Sequence, residues 1–187
     1  MSEAPPTDIE RTKLRVVPSL ILVNTGDGKG KTTAAMGVMI RAAAMGWKVA
    51  VVQFLKSGEW HSGEEEVARQ LGVDWWSIGD GFTWDSESLD ESAAIAQEAW
   101  SKAKGLIEAG EHRLVILDEI TYAMTWEWID TGEVVASLQA RPEKVNVIIT
   151  GRDCPDAIME MADTVTEMRS VRHAFDHGVA AKKGIDY

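Results

Sequence analysis

The stretch "LILVNTGDGKGKTT" (residues 20–33) decides how the rest of the chain is read. Its four leading apolar residues read as a buried β run. They empty into a loop with glycines at 26, 28 and 30, and the alanine-rich "TTAAMGVMIRAAAMG" that follows reads as a helix stopped by Gly46. Glycines reach backbone angles closed to other residues, so successive N–H groups can turn inward. The helix beginning near Lys31 adds its positive N-terminal end. Lys31 brings a mobile cation, Thr32 a hydroxyl able to ligate Mg²⁺, and Thr33 a donor for a phosphate oxygen. Gly26, Asp27, Gly28, Lys29, Gly30, Lys31, Thr32 and Thr33 together describe a nest for a polyphosphate. The pattern departs from G-x-x-x-x-G-K-[ST] only at Thr25, which stands in the first glycine position; a strand before and a helix after supply the setting the motif requires. Lys29 reads equally as a phosphate contact or a solvated charge. Asp27 reads as a turn former pointing away, because a carboxylate beside phosphates repels them.

The same alternation runs outward from the loop. "KVAVVQFL" (48–55), "VDWWSI" (73–78), "RLVILDE" (113–119) and "KVNVIITG" (144–151) read as further strands, with "TVTEM" (164–168) as a sixth. Helical stretches lie between them: "GEEEVARQLG", "DESAAIAQEAWSKAKGLIEAG" and "TGEVVASLQARP". Apolar runs of this kind belong to strands covered on both sides. The fold class expected is α/β: a P-loop NTPase-like (RecA-like), mostly parallel sheet of five or six strands with helices on both faces. In such sheets ligands sit beyond the carboxyl ends of the strands. That rule gathers residues 26–33, 53–56, 79–84, 118–121 and 151–152 along one edge.

Composition sets the outer bounds. The 187 residues suffice for one domain, expected over 19–187, behind a loose arm over 1–18. Cys154 is the single cysteine, which excludes an internal disulfide and fits the cytoplasm. A formal net charge of −11 argues against nucleic acid as a partner, yet a polyanion can still bind where cations and amide dipoles are focused. No apolar run approaches the roughly 18 residues of a membrane span, and "MSEAPPTDIERTKLR" lacks a signal-peptide core.

"RLVILDE" is the natural partner of the loop. Asp118 and Glu119 end an apolar strand at the ligand edge, where a carboxylate can hold Mg²⁺ directly or through water. Other residues read more plainly. His173 and His177 stand four apart, but no third ligand is evident, so a structural role is expected. Cys154 reads as inert, and Trp75, Trp76, Trp126 and Trp128 as packing. Arg152 reads equally as a phosphate contact or a salt-bridge residue.

The combination "TGDGKGKTTAAMG", "VVQFLK", "GDGFTWD", "VILDEITYAM", "VIITGR" and "HAFDHGVAAKKGIDY" closely resembles the ATP:corrinoid adenosyltransferases of the P-loop type, from about residue 20 to 187. The loop alone is shared with many nucleotide-binding proteins; "GFTW" and the "HAFD…GIDY" tail are more specific. The resemblance implies transfer of the 5′-deoxyadenosyl group of ATP to the cobalt of a reduced corrinoid, with release of triphosphate. It implies that Gly26 to Thr33 hold the triphosphate, with Lys31 and Glu119 as the catalytic pair. Thr32 and Glu119 would coordinate Mg²⁺ (or Mn²⁺), supported by Asp118. Phe82 and Trp84 fall on the corrinoid side, where apolar rings keep the cobalt free of its lower axial ligand and so ease reduction to Co(I). A reduced flavin or flavoprotein reductase is implied as electron donor, and a homodimer as the assembly. Asp27 stands where many relatives carry asparagine, and Met36 where an aromatic residue is common. The competing readings are an ATPase or kinase acting at the γ-phosphorus and a nucleotide-dependent binding module without turnover.

Overall fold

The computed structural model describes residues 14–56, 62–79 and 89–186. Six strands form one sheet: β1 (Ile21–Thr25), β2 (Val49–Phe54), β3 (Asp74–Ile78), β4 (Leu114–Asp118), β5 (Asn146–Thr150) and β6 (Thr164–Glu167). Their order is β3-β2-β4-β5-β1-β6, and neighbouring strands pair in parallel. The helices are α1 (Lys31–Ala44), α2 (Gly63–Gln70), α3 (Leu89–Ala109), α4 (Ile120–Thr125), α5 (Thr131–Gln139) and α6 (Asp156–Met161). This is the α/β arrangement expected, consistent with a P-loop NTPase-like domain.

Period-two alternation sorts each apolar run between two cores. Ile21, Val23, Ala50, Val52, Val115, Leu117, Val147 and Ile149 face one side, where α3, α4, α5 and α6 cover them. Val49, Val51, Leu114, Ile116 and Ile148 face the other, under α1 and α2. Met36 is buried in this second core. The edge strand β6 is exposed along its length, Val165 included, and among the described residues pairs with β1 alone.

Local chemistry sets the helix ends. Gly46 and Gly110 stop α1 and α3 at positive φ, as the sequence implies. Ser62 caps α2 through the Glu65 N–H at 3.2 Å, and Asp130 caps α5 through the Glu133 N–H at 2.7 Å. The opening of α1 differs: Gly30 is its N-cap, at φ 109°, and no side chain caps it. The N–H groups of that first turn have no partner within the helix. Helix α6 went unread in the sequence, because its six residues follow Pro155 and bury only Ile158.

Candidate active site

The alternation that builds the second core ends in polar residues at the carboxyl edge. Ser77, Gln53, Asp118, Thr150 and Asn24 continue the face covered by α1 on five neighbouring strands. Register aligns Gln53 with both Ser77 and Asp118, and Asn24 with Thr150. The N-terminus of α1 stands over this row.

Asp118 is the hub and is fully buried. Its Oδ1 accepts the Thr32 hydroxyl at 2.9 Å and the Thr150 hydroxyl at 2.7 Å. Its Oδ2 accepts the Gln53 amide at 2.9 Å, and the Lys56 ammonium stands 4.0 Å away. A buried carboxylate is tolerable only when its lone pairs are met in this way. Asp118 therefore fixes Thr32 rather than standing open to an ion.

Glu119 is the opposite case. It caps α4 in the left-handed region at φ 65°, a conformation that costs a non-glycine residue on the order of 1 kcal/mol. Its N–H donates to Thr150 Oγ1 at 2.9 Å, which holds the turn. Its Oε2 is buried without a hydrogen-bond partner among the described residues. Burial raises its pKa from 4.5 to about 7, against the opposing pull of Lys56, with Asp118 adding a smaller push upward. A desolvated carboxylate with an orphan oxygen, next in sequence to the Asp118 that holds the Thr32 hydroxyl, fits a divalent cation that a nucleotide helps to hold. No group of three His, Cys, Asp or Glu able to cage an ion occurs among the described residues. Mg²⁺ characteristically takes one or two carboxylates and fills its remaining positions with phosphate and water.

The glycine-rich loop is closed on itself. Lys31 Nζ donates to the carbonyls of Gly26 and Gly28 at 2.7 and 2.8 Å. Burial lowers its pKa, helped by Arg152 and opposed by Glu119, Asp27 and Asp118. Gly28 N–H donates to Met168 O at 2.6 Å, and Met168 N–H donates to Thr25 O at 2.7 Å. A Cβ on Gly26 would lie 2.6 Å from Met168 O, and one on Gly28 2.8 Å from the main chain of Met168 and Arg169. These two glycines are thus required by the chain leaving β6. Asp27 and Thr33 are exposed, and Asp27 O accepts the Arg152 guanidinium at 3.4 Å. Lys29 pairs with Asp186 in the tail.

A comparison with protein families finds that residues 18–187 match the family described as ATP:corrinoid adenosyltransferase BtuR/CobO/CobP. The chain belongs to that family. Its curated relatives include a corrinoid adenosyltransferase of Escherichia coli (strain K12), 46% identical over 168 residues, covering 90% of this chain and 85% of that protein. The corrinoid adenosyltransferase CobA of Salmonella typhimurium (strain LT2) is 44% identical over the same shares. That of Pseudomonas aeruginosa (strain PAO1) is 40% identical, over 90% of this chain and 83% of its own. Membership makes this chain a transferase of the adenosyltransferase class, as the residues of the loop, the "GFTW" segment and the tail imply.

Of the residues singled out in the sequence, Gly26 to Thr33, Asp118 and Glu119 converge at the carboxyl edge, and Arg152 joins them there. Phe82 and Trp84 lie outside the described residues. His173 accepts the Phe175 N–H at 3.1 Å and caps the 3₁₀ turn Ala174–His177, a structural role. Cys154 is buried, and burial pushes its thiol up to about 12, so it stays protonated and inert. Trp75 packs in the second core. Trp126 and Trp128 pack on one another with ring centroids 4.8 Å apart. The sequence reading missed Thr150 and Ser77, and named Gln53 and Lys56 only as lying on the ligand edge. Three of the four share a signal: each of Gln53, Ser77 and Thr150 is the polar side chain that ends its face as an apolar strand runs out.

Proposed function

We propose that this protein transfers the 5′-deoxyadenosyl group of ATP to the Co(I) centre of a reduced corrinoid and releases inorganic triphosphate. In this reaction the cobalt electron pair attacks the ribose 5′ carbon, the C5′–O bond breaks, and the leaving oxygen keeps the bonding pair. Co(I) becomes alkyl-Co(III). The nucleophile needs no activation, so the protein's work is alignment and stabilisation of the leaving group. Lys31 exchanges its two main-chain carbonyls for phosphate oxygens. The uncapped N–H groups of α1 face the same charge, and Arg152 supplies a further cation at the rim. Thr32 and Glu119 would hold Mg²⁺ or Mn²⁺, with Asp118 behind Thr32. When bound, the cation neutralises charge developing on the departing triphosphate.

The observation that carries this reading is the meeting of Lys31, Thr32, Asp118 and Glu119 at the ends of β1 and β4, in a chain of this family. Phe82 and Trp84 are assigned to the corrinoid face, where they exclude the lower axial ligand. The catalytic domain is taken as residues 19–187 and the arm as residues 1–18. A cytoplasmic homodimer supplied by a reduced flavin or flavoprotein reductase completes the proposal. No helix among the described residues is long and apolar enough to cross a membrane.

The test incubates the protein with ATP, Mg²⁺ and chemically reduced corrinoid. A light-sensitive alkyl-cobalt spectrum together with inorganic triphosphate is expected. ADP and phosphate would instead mean chemistry at the γ-phosphorus. Lys31→Ala should lower kcat/KM about 100-fold or more, the scale for losing one preorganised charge donor.

A further inference from the structure

The polar row at the carboxyl edge extends beyond the residues that can touch nucleotide, and its far end has a direction. Trp75 Nε1–H donates to Ser77 Oγ at 3.0 Å. An indole nitrogen can only donate. Ser77 is thereby an acceptor on that side, and its own proton goes to Gln53 Oε1 at 3.2 Å. That contact orients the Gln53 amide, with its oxygen toward β3 and its NH₂ toward Asp118 Oδ2, 2.9 Å away. Gln53 is 2% exposed, so water does not compete for either end. From the opposite side, Thr150 accepts the Glu119 N–H and must spend its own proton on Asp118 Oδ1. Both flanks of Asp118 are therefore donors by necessity.

We propose that Gln53, oriented by Ser77 and Trp75, is a positioning residue that fixes Asp118 so that the Thr32 hydroxyl donates inward and offers its lone pairs outward to a divalent cation. The inference rests on the reading of Thr32 and Glu119 as the cation's holders. With Gln53 NH₂ on Oδ2 and Thr150 on Oδ1, the carboxylate plane is set from both sides. Thr32 at 2.9 Å from Oδ1 then has one direction for its proton. Without Gln53, Oδ2 has, among the described residues, the Lys56 ammonium alone at 4.0 Å, and the carboxylate is free to rotate toward it. Parallel register makes the relay rigid, because Ser77, Gln53 and Asp118 are direct neighbours across three strands. Asp118 stands one step behind Thr32, where partners commonly govern metal affinity about 10–100-fold, and Gln53 acts through it at the low end of that range.

The relay is tested by equilibrium binding of the β,γ-methylene analogue of ATP to the full chain, with Mg²⁺ titrated from zero. Gln53→Leu should weaken the apparent Mg²⁺ affinity about 10-fold or more, while analogue affinity without Mg²⁺ changes less than about 2-fold. Ser77→Ala should weaken the Mg²⁺ response about 3-fold, and Ser77→Thr, which keeps the hydroxyl, should restore it. This serine pair carries the same test if Gln53→Leu does not fold. Loss of affinity to the same extent with and without Mg²⁺ would show general loosening and overturn the proposal, as would a wild-type Mg²⁺ response in Gln53→Leu or in Ser77→Ala. Adenosyl transfer is not the readout. A wild-type protein that binds the Mg²⁺ complex yet makes no alkyl-cobalt therefore sinks the functional reading and not the relay.

Discussion

Two neighbouring carboxylates show how far one position can change a side chain's chemistry. Asp118 ends a strand, is met by three donors, and acts as a fixed acceptor. Glu119 begins a helix in a left-handed turn and keeps a buried oxygen without a hydrogen-bond partner among the described residues. Its raised pKa has a consequence for stability. The unfolded chain releases this proton near 4.5 and the folded chain near 7, so between those values the folded state holds the extra proton. The unliganded protein should lose stability as pH rises through that window, by on the order of 3 kcal/mol at most. Denaturant unfolding between about pH 5 and pH 8 should show this slope, and Glu119→Gln should flatten it. Both carboxylates were legible from "RLVILDE", because a charge ending an apolar strand at a ligand edge has few other uses. The family resemblance implied their division of labour, with Asp118 in support of Glu119, but its physical cause was not legible, since it depends on Gln53 and Thr150, which are distant in sequence and adjacent only in register.

Between elements, the telling contacts are made by glycines that leave room for another segment. Gly151 ends β5 at φ 140°, and a Cβ there would fall 1.9 Å from Thr121 Oγ1 on α4. That hydroxyl donates to Arg152 O at 2.6 Å, so the junction also carries the rim arginine. Gly151→Ala should destabilise the fold by about 2–4 kcal/mol through backbone strain and overpacking. Thr121→Ala in the same chain should recover part of that loss, which a double-mutant cycle would measure. The sequence reading anticipated all six strands and the long helices, because their periodicity and glycine stops are local signals. It missed α6, whose six residues carry too little periodicity to register. The strand order also escaped it, since nothing in "TVTEM" says that the last strand returns to lie beside the first.

For the molecule entire, acidity and anion binding are reconciled by placement. A chain of net charge −11 gathers Lys31, Lys56 and Arg152 around one sheet edge, where the open end of α1 adds its dipole. The tail comes back to this edge as well, through Asp186 and Lys29. That pair is exposed, so Asp186→Ala should alter unfolding free energy by no more than about 1 kcal/mol, while freeing Lys29 toward the ligand edge. Analogue binding across a salt series would register the released charge as a steeper ionic-strength dependence. The clasp of Gly28 on Met168 joins distant parts of the chain in another way. Its inner strand is made early in translation, and its outer one only after nearly every other strand has left the ribosome. A nascent chain thus carries the signature loop through most of its synthesis without the main-chain contact that closes it.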